Sequence, residues 1–104
     1  MSPFEGYADE YDAYARCVIL KGLRLEHNGA LSDSMLMRVL EEFAINKDRY
    51  YLHTQLQWLQ DQARAVTLRQ AGTALIATLT EQGEAHLSRK SLIKGIQEPS
   101  RPRG

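Results

Sequence analysis

The segment from Val66 to Gly83, VTLRQAGTALIATLTEQG, constrains the fold more than any other part of the chain. As one helix it would place Leu75 and Leu79 on a common face. Its β-branched residues argue against that. Val66, Thr67, Thr73, Ile76, Thr78 and Thr80 lose side-chain freedom in a helix and suit a pleated surface. Gly72 stands where a hairpin turn needs positive φ. Leu75, Ala77 and Leu79 alternate with Ile76 and Thr78, as in a half-buried strand with the first set inward. Thr80 then offers a hydroxyl cap to a helix from Glu81 to about Lys90, with Glu81 and Glu84 near its positive end. The segment therefore reads as strand, turn, strand, helix.

Upstream the apolar period is helical. A first helix is expected over about Asp9 to Glu26, where Tyr11, Tyr14, Ala15, Val18, Ile19 and Gly22 share one face. Leu23 and Leu25 widen that face, and Asn28-Gly29 ends the helix. Ser2-Pro3-Phe4-Glu5 has the form of a capping box, but Gly6 weakens a continuous helix from there. Ser32 is the expected cap of a second helix, with Asp33 at the positive end of its dipole. Leu31 and Leu36 stand as a hydrophobic staple, and Leu36, Val39, Leu40 and Phe43 form the buried stripe. Ala44-Ile45-Asn46 is a short break. Asn46 is the expected cap of a third helix, from Lys47 to about Gln62, with Leu52, Leu56 and Leu59 inward. Two such helices joined by about three residues read as a helix-turn-helix, with a plain helical bundle as the alternative.

A hairpin directly after a helix-turn-helix is a wing. The expected fold is α+β, a winged helix-turn-helix in the order α-α-α-β-β-α. It occupies residues 1–96, with Leu92, Ile93 and Ile96 still packed on it. Residues 97–104, QEPSRPRG, are expected as a flexible basic, proline-containing tail.

The 104 residues suffice for one domain with a modest core. No apolar run exceeds four residues, so no membrane span is expected. The start, MSPFEGYADEYD, is acidic and unlike a signal peptide. The single Cys17 excludes an internal disulfide and reads as a small buried hydrophobe. These features fit a cytoplasmic protein. Net charge is zero, but the first fifteen residues hold four acids and no Lys or Arg. The last twenty hold five basic residues against Glu98 alone. A zero total argues against strong nonspecific nucleic-acid binding but is compatible with a basic face on a dipolar molecule.

The segment from Leu31 to Gly83 resembles the MarR- and ArsR-like winged-helix domains. The resemblance rests on LSDSMLMRVLEEF, HTQLQWLQDQARAVTL and ATLTEQGEAHL. The last is the most specific: in these families the second wing strand commonly runs into a Leu-Thr-x-x-Gly helix start, matched by Leu79, Thr80 and Gly83. The whole chain, with the tail GIQEPSRPRG, is also similar to small winged-helix proteins of Mu-like phages and prophages. It departs from ArsR metal sensors, which look for paired thiolates; with one Cys and with His27, His53 and His86 scattered, no metal or cofactor is expected. It also lacks the long terminal helices by which full-length MarR proteins dimerise.

What the resemblance implies is sequence-specific binding of double-stranded DNA, with the third helix in the major groove. Setting Leu52, Leu56 and Leu59 inward puts Lys47, Tyr50, Thr54, Gln57 and Asp61 on the opposite face, with His53 at its side. Tyr50, Thr54 and Gln57 are the expected base readers, Gln57 suiting adenine and Thr54 a thymine methyl. Lys47, Arg49, Arg69 on the wing and Arg38 on the second helix are the expected phosphate contacts. Any helix surface has such a polar face, and Asp48 and Asp61 oppose DNA. Trp58 and Tyr51 are expected to seal the core edge against the wing, with an exposed aromatic patch for a partner as the alternative. The line Tyr7, Tyr11, Tyr14 and Val18 is expected to pack on the second helix or to form a homodimer seam. No nucleophile elbow, phosphate loop or metal motif marks an enzyme. The competing expectation is a winged helix used as a protein-interaction module in a phage or bacterial assembly without DNA binding, where Trp58 and Tyr51 would matter more than the basic residues.

Overall fold

The computed structural model describes residues 6–100. Its elements run α1 (Tyr7–Arg24), β1 (Ala30–Ser32), α2 (Asp33–Glu42), α3 (Arg49–Asp61), β2 (Val66–Ala71), β3 (Ala74–Leu79) and α4 (Glu81–Leu87). The fold is α+β, and the three strands form an antiparallel sheet in the order β1-β3-β2. The segment from Val66 onward is strand, turn, strand, helix. β2 and β3 pair from Val66↔Leu79 to Ala71↔Ala74, which leaves Gly72 and Thr73 as the turn. Gly72 has φ +62°, which only glycine adopts without strain.

The expected order lacks β1. Ala30–Ser32 pairs with β3 through Ala30↔Thr78, Leu31↔Ala77 and Ser32↔Ile76. Three residues are too few to display an alternating pattern, and the free edge of β3 supplies the partner groups. Gly29, at φ +69°, starts this strand by accepting from Leu79 N–H at 2.8 Å. As the central strand, β3 is shielded on both faces: Ala77 is buried, and Ile76 and Thr78 are half-buried rather than outward.

α1 is the core helix. Ala15, Cys17, Val18, Ile19, Leu20 and Leu23 are all buried, on more of its circumference than the one expected face. Gly22 lies at its crossing with α2, where an added Cβ would stand 3.0 Å from Val39 Cγ1. The helix ends at Arg24, short of the expected Glu26, and Leu25 is 85% exposed rather than part of the buried face. The Ser2-Pro3-Phe4-Glu5 start lies outside the described residues.

Ser32 caps α2 as expected, its Oγ accepting from Met35 N–H at 3.3 Å. Leu36 and Leu40 are buried, but Phe43, beyond the helix end, is 43% exposed. The chain leaves α2 through Ala44 at φ +60° so that Ile45 can insert into the core. That detour displaces the start of α3. Asp48, not Asn46, is its cap, accepting from Tyr51 N–H at 2.8 Å.

Thr80 caps α4 as expected, its Oγ1 accepting from Gly83 N–H at 3.2 Å and donating to Arg64 C=O at 2.7 Å. α4 ends at Leu87 and not near Lys90. The chain beyond Ile96 is tied down as far as Pro99. Gln97 N–H donates to Ala13 C=O at 3.1 Å, and Arg89 donates to Pro99 C=O at 2.7 Å. Buried His86 holds this segment at both ring nitrogens: Nδ1 accepts from Ile93 N–H, and Nε2 donates to Gln97 C=O, each at 2.9 Å. The expected flexible tail thus begins with residues hydrogen-bonded to the domain, while residues 101–104 lie outside the described part.

Candidate nucleic-acid interface

α3 owes its orientation to three buried leucines. Leu52, Leu56 and Leu59 face the core, so Tyr50, Thr54, Gln57 and Asp61 form the exposed opposite face. Tyr50 is 80% exposed. Thr54 and Gln57 are partly engaged within the helix. Thr54 Oγ1 donates to Tyr50 C=O at 3.0 Å, and Gln57 Nε2 donates to Asp61 Oδ2 at 2.8 Å. Gln57 keeps its carbonyl oxygen and one amide hydrogen for another partner.

The hairpin lies beside this helix because Gln60 joins them. Its Oε1 accepts from Leu68 N–H at 2.9 Å, which satisfies an edge-strand donor and holds β2 against α3. Arg69, the next residue, is exposed and stands across from Ile76. Arg38 is exposed on α2. Among the described residues neither makes a salt bridge.

Two expected contacts lie elsewhere. Lys47 precedes the helix cap, so it is not on the α3 face. Its Nζ lies 5.2 Å from the Tyr11 ring centroid and 5.6 Å from that of Tyr51, towards α1. Arg49 turns back to α2: Nη1 is 3.0 Å from Asp33 Oδ2, and Nη2 donates to Ser34 Oγ at 3.2 Å. His53, one turn later, donates from Nε2 to the same Asp33 oxygen at 2.9 Å.

Asp33 is the residue that sequence reasoning undervalued. It was expected only as an acid near a helix dipole, yet it is 2% exposed. Burial pushes its carboxyl up. Hydrogen bonds from His53 and Arg49, the Arg49 charge and the Leu75 N–H together outweigh that effect and hold it below its ordinary range. No local pattern separates a buried first-turn acid from a solvated one.

Tyr51 and Trp58 do not seal the wing. Both lie against α1, because α1 crosses that flank of α3. Tyr51 OH donates to Asp12 Oδ1 at 2.6 Å, its ring meets Tyr11 edge-on, and burial with the Asp12 bond raises its phenol above the usual range. Trp58 lies under Arg16. Tyr11 therefore packs on α3, while Tyr7 is 61% exposed. An open cleft of about 370 Å³ lies between α1 and the start of α3, lined by Tyr7, Tyr11, Asp12, Asn46, Lys47 and Tyr51 among others.

No helix of the described residues is long and apolar enough to cross a membrane. No family model matches the chain, and no curated protein or solved structure matches it.

Proposed function

We propose that the chain is a sequence-specific DNA-binding protein of the winged-helix type, a small transcriptional regulator of phage or prophage origin acting as a homodimer. α3 would enter the major groove, with Tyr50, Thr54 and Gln57 at base edges, and the β2–β3 hairpin would be the wing. One observation carries the reading. The uncovered polar face of α3 adjoins a tight hairpin bearing exposed Arg69, on elements that follow the order α-β-α-α-β-β-α.

The charge that supports it is modest. With Arg49 engaged by Asp33 and Lys47 turned towards α1, the expected phosphate contacts left are Arg38 and Arg69. Two phosphate contacts correspond to a log–log salt slope of about −2. Fluorescence anisotropy with random duplex DNA at low and higher salt tests this. Salt-sensitive binding is the expected result. No binding at tens of micromolar protein, by a chain folded by circular dichroism, would defeat it.

The second reading is a protein-interaction module. Exposed Tyr50 and Tyr7, beside the tyrosine-lined cleft, favour it, since aromatic residues carry much of the energy at protein interfaces. Salt-insensitive or absent DNA binding would leave this reading standing.

A further inference from the structure

We propose that Asp33 is a positioning residue that seats α3 against α2 and withdraws Arg49 from the charge α3 offers to DNA. The inference rests on the DNA-binding reading and adds a control on its specificity. Asp33 stands in the first turn of a helix, where a carboxylate is ordinarily solvated, yet it is 2% exposed. Its Oδ1 accepts from Ser34 N–H at 2.9 Å. Its Oδ2 accepts from Arg49 Nη1 at 3.0 Å and from His53 Nε2 at 2.9 Å. Arg49 Nη2 adds a bond to Ser34 Oγ. One side chain thus ties the start of α2 to two residues four apart on α3. Sliding or rotating α3 by one residue would break both contacts.

The same arrangement cancels a charge. A buried carboxylate left without its cation is strongly unfavourable, so a phosphate must compete with Asp33 for Arg49. Counterion release counts uncompensated cations, and the Arg49–Asp33 pair is neutral. Arg49 therefore adds little to binding of arbitrary DNA. Base contacts by Tyr50, Thr54 and Gln57 are untouched, so the ratio of specific to nonspecific binding rises.

The test is a salt series of anisotropy titrations with random duplex DNA, using the full chain as wild type, Asp33→Asn and the double variant Asp33→Asn/Arg49→Gln. Freeing Arg49 is expected to steepen the log–log slope by about one and tighten binding at low salt. The double variant is expected to return to the wild-type slope. A residue with only a structural role would lower stability without steepening the slope, and equal slopes for wild type and Asp33→Asn would overturn the proposal. If Asp33→Asn does not fold, the wild-type chain carries the test through proton–nitrogen spectra of its arginine side chains. On adding duplex, Arg69 signals are expected to move and those of Arg49 to stay; Arg49 moving with Arg69 overturns the proposal. Wild-type protein that shows no salt-sensitive binding removes the DNA reading and this inference together, whereas salt-sensitive binding with an unchanged variant slope removes this inference alone.

Discussion

Arg16 Cζ lies 3.7 Å from the centroid of the Trp58 ring. Its Nε donates to Gln55 Oε1 at 2.8 Å, and Nη1 donates to Gly95 C=O at 3.0 Å. One side chain of α1 thus binds α3 twice and holds the chain after α4. Gly95, at φ +96°, can approach because it has no Cβ; one would meet Trp58 at 2.7 Å. Trp58 lies on the flank of α3, so this contact helps aim the face that carries Tyr50, Thr54 and Gln57.

Arg16→Ala removes a cation–π contact and leaves the buried Gln55 oxygen without its donor. The expected loss is about 2–3 kcal/mol in urea unfolding. Arg16→Lys keeps the charge but not the planar fork, and is expected to recover less than half of that. A loss of under about 0.5 kcal/mol for the alanine variant would show that the stack is not holding α3.

Gly83→Ala tests the close approach of α4 to the turn before β2. The new Cβ would meet Ala65 C=O at 2.5 Å and Leu79 Cδ1 at 2.6 Å. The side chain can yield, but the backbone carbonyl cannot. A destabilisation of about 1–3 kcal/mol is expected, although alanine favours helix over glycine. Unchanged or raised thermal stability would sink the packing account.

Asp33 predicts a pH effect of definite sign. Its folded pKa lies below the ordinary value of 3.8, so its charged form is the one the fold favours. The resulting stability is fully present above that value and is lost as pH falls through the folded pKa. Other carboxylates also titrate there, so the useful quantity is wild type minus Asp33→Asn in urea unfolding. That difference is expected to be positive near neutrality and to shrink below pH 3.8. A difference independent of pH would mean that the carboxylate charge is not what stabilises the site.

If the proposed DNA binding holds, two substitutions separate backbone contact from base reading. Arg69→Ala is expected to weaken binding to every duplex and to flatten the log–log salt slope by about one. An unchanged slope would remove the hairpin from the interface. Gln57→Ala is expected to cost about 1–3 kcal/mol at one base position and little elsewhere. Equal loss on all sequences would contradict base reading by this residue.

Local chemistry determined much of this protein. Ser32 and Thr80 cap helices wherever the chain goes next, because a side-chain oxygen needs only a backbone N–H two or three residues away. Gly72 permits the hairpin by its own φ, and the Leu52, Leu56 and Leu59 spacing orients α3 by itself. The outward placement of Tyr50, Thr54 and Gln57 follows from that spacing alone. Tertiary structure decided the rest. β1 exists because β3 offers it an edge, and three residues carry no periodic signal. Lys47 fell off the α3 face because Ile45 had to reach the core, which moved the cap to Asp48. Arg49 turned inward because Asp33 is buried, and a buried carboxylate binds whichever cations the neighbouring helix brings. Backbone propensity and spacing act over a few residues and are written in the chain, whereas the partner of a charge depends on which elements meet.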